Sequence, residues 1–194
     1  AGCAREAVDE AIAAMDPAPV APGKYDIILR NDAMASILGA FAGMFSADAA
    51  QKGLSPLAGR EGEDMAAECV TLMDDPLYPI NPSPFDDEGT PSVAKAVIKD
   101  GKLETLLHNL KTAKKAGVKS TSNGGRSSAG SPVGVRITNF YIAPKEGALG
   151  QLISELGDGL LITDFSGLHA GVNPVSGKFS VLCKGRLIKD GRDV

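Results

Sequence analysis

Tryptophan is absent from this 194-residue chain, and aromatic residues make up only 5% of it. A core of any size must therefore be aliphatic. Cysteine is scarce: Cys3, Cys69 and Cys183 are widely spaced and odd in number. That excludes a disulfide framework and points to a reducing, cytoplasmic compartment. No apolar run approaches the roughly 18 residues of a membrane-crossing helix. A field of positive charge is also missing. The net charge is −4, so bulk attraction to nucleic acid is not expected. Histidine is limited to His108 and His169, with no metal-ligand spacing between them.

What is present is ordinary for a water-facing globular protein: 43% apolar and 23% charged residues. The length allows one large domain or two small ones. Residues 3–15 carry Ala and Ile at helical spacing and predict an amphipathic helix, ended by the prolines of "DPAPVAPGK". Residues 25–30 read as a buried strand. Asn31 or Asp32 then caps a helix, "AMASILGAFAGMF", whose apolar perimeter predicts burial and whose small residues permit close backbone approach. Ser46 caps a further short helix stopped by Gly53. Residues 68–76 predict a strand ending at Asp-Asp-Pro. Two more strands join at Asp100-Gly101, a strong hairpin signal.

A short helix stops at Gly117, and the Ser/Gly-rich stretch 120–134 reads as a mobile loop. A strand over 135–144, an amphipathic helix over 148–157 and a strand over "GLLITDFSG" follow. Two last strands precede Asp190-Gly191. Strands outnumber helices and come as hairpins, which predicts an α+β fold with a mostly antiparallel sheet. Cys3 and Cys69 sit on apolar faces and read as core, and Cys183 reads as a half-buried strand residue. Lys111, Lys114, Lys115, Lys119 and Arg126 read as a solvated face, with an anion or peptide-carboxylate contact as the alternative.

The stretch "PFDDEGTPS" (84–92) sets three carboxylates side by side. Adjacent residues of an extended segment point to opposite faces, so Asp86, Asp87 and Glu88 do not converge on one metal unless the loop folds sharply. The alternating spacing of a calcium loop is missing. Gly89 and Pro91 favour a tight acidic turn leading into a strand over 92–99. An acid–base pair drawn from these residues, Asp74 and Asp75 remains a separate possibility, and it requires two carboxyls converging in one cleft.

"DDEGTPS", "GVKSTSNGGR", "TNFYIAP" and "GLLITDFSGLHAGVNPVSGKFS" stand in an order that resembles the TldD/PmbA family of peptide-processing proteases, once labelled modulators of DNA gyrase. The resemblance runs over almost the whole chain. It implies that residues 1–194 form most of the family's C-terminal domain, cut at both ends, with another domain upstream. The family has two branches. One carries an HExxxH motif on the helix after the first strand, plus a late cysteine, and holds a catalytic metal. The other, PmbA-like or TldE-like, lacks the motif and partners the first.

Here the motif positions are Gly39, Ala40 and Met44. Gly and Ala offer no ligand, and a lone thioether suits Cu(I) rather than zinc. Zinc hydrolysis needs about three protein ligands and a base. The resemblance places Cys183 at the cysteine-ligand position, and one thiolate is not a site. With His169 it would form only a fragment of one. The expectation is a metal-free subunit with no cofactor and no catalytic residue of its own. It would complete or gate proteolysis through contact with a metal-bearing TldD-like subunit or with itself, and with a peptide. Asp86, Asp87, Glu88, Asn123, Arg126, His169 and Asn173 are the candidate contacts. A stand-alone carboxylate hydrolase and a homodimeric binding module are the alternatives.

Overall fold

The aliphatic runs become strands in the computed structural model, which describes residues 2–13, 15 and 17–194. In chain order the elements are α1 (Gly2–Ala13), β1 (Ile27–Leu29), α2 (Asn31–Phe41), a 3-10 turn (Ala42–Phe45) and α3 (Ala47–Gln51). Then come β2 (Leu72–Asp74), β3 (Lys95–Lys99), β4 (Lys102–Leu103), α4 (Leu110–Ala116), β5 (Gly124–Gly125), β6 (Gly134–Val135) and β7 (Phe140–Ile142). The last are α5 (Leu149–Leu156), β8 (Gly159–Ser166), α6 (Leu168–Gly171), β9 (Val172–Asn173), β10 (Lys178–Phe179), β11 (Leu182–Lys189) and β12 (Arg192–Asp193). The fold is α+β, as expected.

Two four-stranded sheets organise it. One runs β4-β3-β2-β7 and is antiparallel throughout. The other runs β1-β8-β11-β12, with β1 parallel to β8 and the rest antiparallel. The hairpin expected at Asp100-Gly101 forms, and a second closes at Asp190-Gly191, where the last expected strand ends. Asp100 and Gly101 have φ of 48° and 82°, and Asp190 and Gly191 have 49° and 68°, the left-handed pair that a two-residue turn needs.

The main core lies under the first sheet. Phe45, Leu57, Leu72, Val97, Ile98, Leu103 and Leu107 pack together there, and the Phe45 and Phe140 rings meet edge to face at 5.3 Å. Leu107 is fully buried and ties the 3-10 turn to this core: its N–H donates to the Phe45 carbonyl and its carbonyl accepts from Ala47.

Several expectations change. Every described side chain of α1 is exposed, so its apolar stripe, Val8 and Ile12 included, has no partner among the described residues. The helix is tethered by Arg30, which bridges Glu10 and Asp32. Residues 14 and 16, at the expected helix end and proline break, lie outside the described residues. Strand β1 is three residues long and half-exposed, because it forms a sheet edge. Helix α2 stops at Phe41 and tightens into the 3-10 turn. Only its Ala33 and Ile37 are buried, and a side chain added at Gly39 or Gly43 would enter open space. The small residues therefore line an open face rather than a close contact. All three cysteines are exposed, contrary to the core reading of Cys3 and Cys69 and to the half-buried reading of Cys183. The expected strand 135–144 is split into β6 and β7, because residues 136–139 turn aside to bond Asp74 and Asn123.

Candidate partner-contact site

Asp74, at the end of β2, is fully buried. Its Oδ1 accepts from the Thr138 N–H and hydroxyl, both at 2.8 Å. Its Oδ2 accepts from Lys95 Nζ at 2.9 Å and Asn123 Nδ2 at 2.8 Å. Four donors on one buried carboxylate satisfy the charge that burial would otherwise penalise. Asn123 is 1% exposed and also donates to the Arg136 carbonyl. The Ser/Gly stretch is thus anchored in the interior at its start, and only residues 126–130 form an uninterrupted exposed tip. Composition predicted mobility for all of it. The anchors lie 38 and 49 residues away in sequence, beyond any local signal.

The acidic triplet closes on the same stretch. Asp86 is buried; its Oδ1 accepts from the N–H groups of Glu88 (3.0 Å) and Thr90 (2.8 Å), and its Oδ2 from Gly124 (2.8 Å). Asp87 is exposed, accepts from the Arg126 N–H at 2.7 Å and lies 4.0 Å from the Arg136 guanidinium. Glu88 accepts from the Leu110 N–H at the start of α4 at 2.7 Å, where a helix leaves its first amides unpaired. Asp86 and Asp87 both hold the 124–126 backbone, and Glu88 holds the start of α4. Gly124 is obligatory at the junction, since a Cβ there would meet Glu88 Cγ at 2.7 Å and Asp86 Oδ2 at 2.9 Å. Replacing Asp86 by Asn keeps the shape but turns an NH2 group toward amide donors. The expected loss is ~2 kcal/mol in urea unfolding, with a normal far-UV spectrum; an unchanged midpoint would show that the triplet does not hold the loop.

His108 joins β4 to α4 and is 5% exposed. Its ring Nδ1 has no hydrogen-bond partner among the described residues. Burial pushes its pKa below the ordinary imidazole value, against weaker upward pulls from the Thr112 backbone and the Glu61 carboxylate.

His169 and Asn173 belong to a different place. His169 is exposed on the single turn α6 and lines an open groove of about 480 Å³ with Ser36, Gly39, Ala40, Val172 and Pro174. Asn173 is exposed, and its Oδ1 accepts from the Val175 and Ser176 N–H groups, both at 3.1 Å, which shapes the β9–β10 turn. Cys183 stands opposite Phe165 in β11 and is not among the residues lining this groove.

The structure therefore brings Asp86, Asp87, Glu88, Asn123 and Arg126 together and leaves His169 to the groove beside α2 and Asn173 to the β9–β10 turn. Lys95 and Thr138 join the first group through Asp74; Thr138 opens the "TNFYIAP" stretch, whereas Lys95 lies in none of the quoted motifs. A family model for the "PmbA/TldA metallopeptidase C-terminal domain" matches residues 22–194. The chain belongs to the TldD/PmbA family. A metalloprotease of Archaeoglobus fulgidus is 36% identical over 78% of this chain, and the metalloprotease PmbA of Escherichia coli is 26% identical over 98%. A Thermotoga maritima crystal structure, described as a candidate modulator of a DNA gyrase, superimposes with a TM-score of 0.90 at 39% identity, covering 97% of this chain. TldE of Thermococcus kodakarensis does so with a TM-score of 0.82 at 30% identity over 97%. The chain spans 35% and 39% of the length of the two curated relatives and 43% and 44% of the two crystal-structure chains.

The family implies a metal, and the donor set of this TldD/PmbA chain does not fit one beside α2. Gly39 and Ala40 border the groove without a ligand atom, while Met44 packs against the hydrophobic core. Among the described residues no three His, Cys, Asp or Glu side chains are grouped to hold an ion. Likewise, no helix among them is long and apolar enough to cross a membrane.

Proposed function

We propose that this domain belongs to the metal-free subunit type of a two-component peptide protease and contributes surface rather than chemistry. The observation that carries this reading is the face of α2: glycine and alanine line the groove where the metal branch has its first histidine and glutamate, and the next motif position is turned into the core. The family membership supplies the peptidase connection. The carboxylate alternative finds little support, since Asp74 and Asp86 spend both oxygens on structural donors. Its partner is then a metal-bearing relative or a second copy, its ligand a peptide, and nucleic acid is left out by the acidic charge.

Co-expression with a metal-bearing relative tests this. The expected result is a complex that cleaves peptides, with no cleavage and no stoichiometric zinc in this protein purified alone. A zinc ion held one-to-one by this protein, or peptide cleavage without the partner, overturns it.

A further inference from the structure

The peptide group of His108 is the point on which the 120–126 segment is built. Its N–H donates to Thr121 Oγ1 at 2.6 Å. Its carbonyl accepts from the N–H groups of Thr121 (3.3 Å) and Asn123 (3.2 Å) and from the hydroxyls of Ser120 (3.2 Å) and Thr121 (3.1 Å). The side chain of the same residue is buried with one ring nitrogen unpartnered. A buried polar atom without a partner is costly, and far more so when it carries charge. The groups that act on the ring are the Thr112 backbone on α4 and the Glu61 carboxylate from the segment between α3 and β2. The Thr112 carbonyl already accepts from Gln51 Nε2 of α3 at 2.8 Å. Both favour a charged ring, and burial outweighs them.

We propose that His108 is a proton-operated latch: uptake of a proton by its ring releases the 120–126 segment from the domain body while the first sheet stays folded. The direction follows from linkage. The segment is bonded to the peptide group that carries the ring, so a form in which that group has let go of Thr121 and Asn123 frees His108 to turn its ring toward water, where it is more basic, and that form binds more protons. Opening is therefore favoured progressively as pH falls through about 6.5, the ordinary imidazole value. Release frees the Gly124 N–H from Asp86 and the Arg126 N–H from Asp87, so the acidic turn and Arg126 change their presentation together. The latch rests on the proposed function only for its consequence, pH-dependent contact with a partner or peptide. The following test uses this chain alone, so the two readings fail separately.

Backbone amide exchange, corrected for intrinsic rates, is compared at about pH 7.5 and about pH 5.5. Protection at Thr121, Asn123 and Gly124 is expected to fall about tenfold at the lower pH while Val97 and Ile98 in β3 hold theirs. His108→Gln is expected to remove that difference. In the unmodified protein the ring resonances and the loop amides should titrate with one midpoint, a readout independent of whether the variant folds. Equal protection at both pH values, loss in step with β3, the same fall in His108→Gln, or a ring that titrates without the loop overturns the proposal.

Discussion

Replacing Asp74 by alanine is expected to remove about 3–5 kcal/mol of unfolding free energy, measured by urea denaturation. The carboxylate is fully buried and Lys95 beside it is 13% exposed. Deleting the acid leaves an ammonium with little access to water and only the Val93 carbonyl beside it, and takes the acceptor from Thr138 and from one of the two Asn123 Nδ2 hydrogens, the other staying on the Arg136 carbonyl. The loss extends past one ion pair because Asp74 is where β2, β3, the 120–126 segment and the run before β7 meet. Replacing both members, Asp74→Ala with Lys95→Met, should recover part of the loss, since the stranded charge is then gone. A single-variant loss below about 1 kcal/mol, the scale of an exposed ion pair, would show that the node is not a structural centre.

Gly185→Ala should be the most damaging single methyl in the second sheet, at ~3 kcal/mol, the upper end for overpacking. Register slips between Lys184 and Gly185 where β11 pairs with β8, and this bulge brings the Leu161 carbonyl against Gly185. A Cβ would collide with that oxygen and lie 3.0 Å from the carbonyl carbon and 3.1 Å from Ile162 Cα. These are backbone atoms of a neighbouring strand and do not rotate away. The requirement is space, not a left-handed φ, since Gly185 is not among the positive-φ residues. Gly39→Ala is the matched control, because its Cβ meets nothing within 4 Å. Urea midpoints that place the two variants together would sink the close-approach account.

How far the chain could be read in advance followed the range of the cause. Local causes were legible. Asp-Gly at 100–101 announced its turn, and Gly117 stops α4 at φ 71°. Ser46 caps α3 through the Ala49 N–H. Helix α5 ends at Gly157 as its amphipathic pattern suggests. Burial was legible only where many residues shared one pattern. The apolar perimeter of α2 suggested enclosure, yet one face stays open, because apolar character states what a surface favours and not whether a partner arrives. The Ser/Gly stretch erred in the other direction. Small polar residues usually mark a mobile loop, but Asn123 is polar because its amide serves a buried carboxylate, and Gly124 is small because the crowded acidic turn leaves no room for a Cβ.

Chemical identity is carried residue by residue, so the ordered motifs and the absence of metal ligands at Gly39, Ala40 and Met44 could be known from the sequence alone. The α+β class followed in the same way, from strand periods and turn dipeptides that act over a few residues. Which polar groups are consumed was a decision of the tertiary structure. Asp74 and Asp86 look like free acids in the sequence and have both oxygens occupied only when segments 38 to 64 residues distant add their donors to the nearer ones. The physical reason is that solvation belongs to a place in space: a carboxylate keeps its reactivity or surrenders it according to what the folded chain brings within hydrogen-bonding distance.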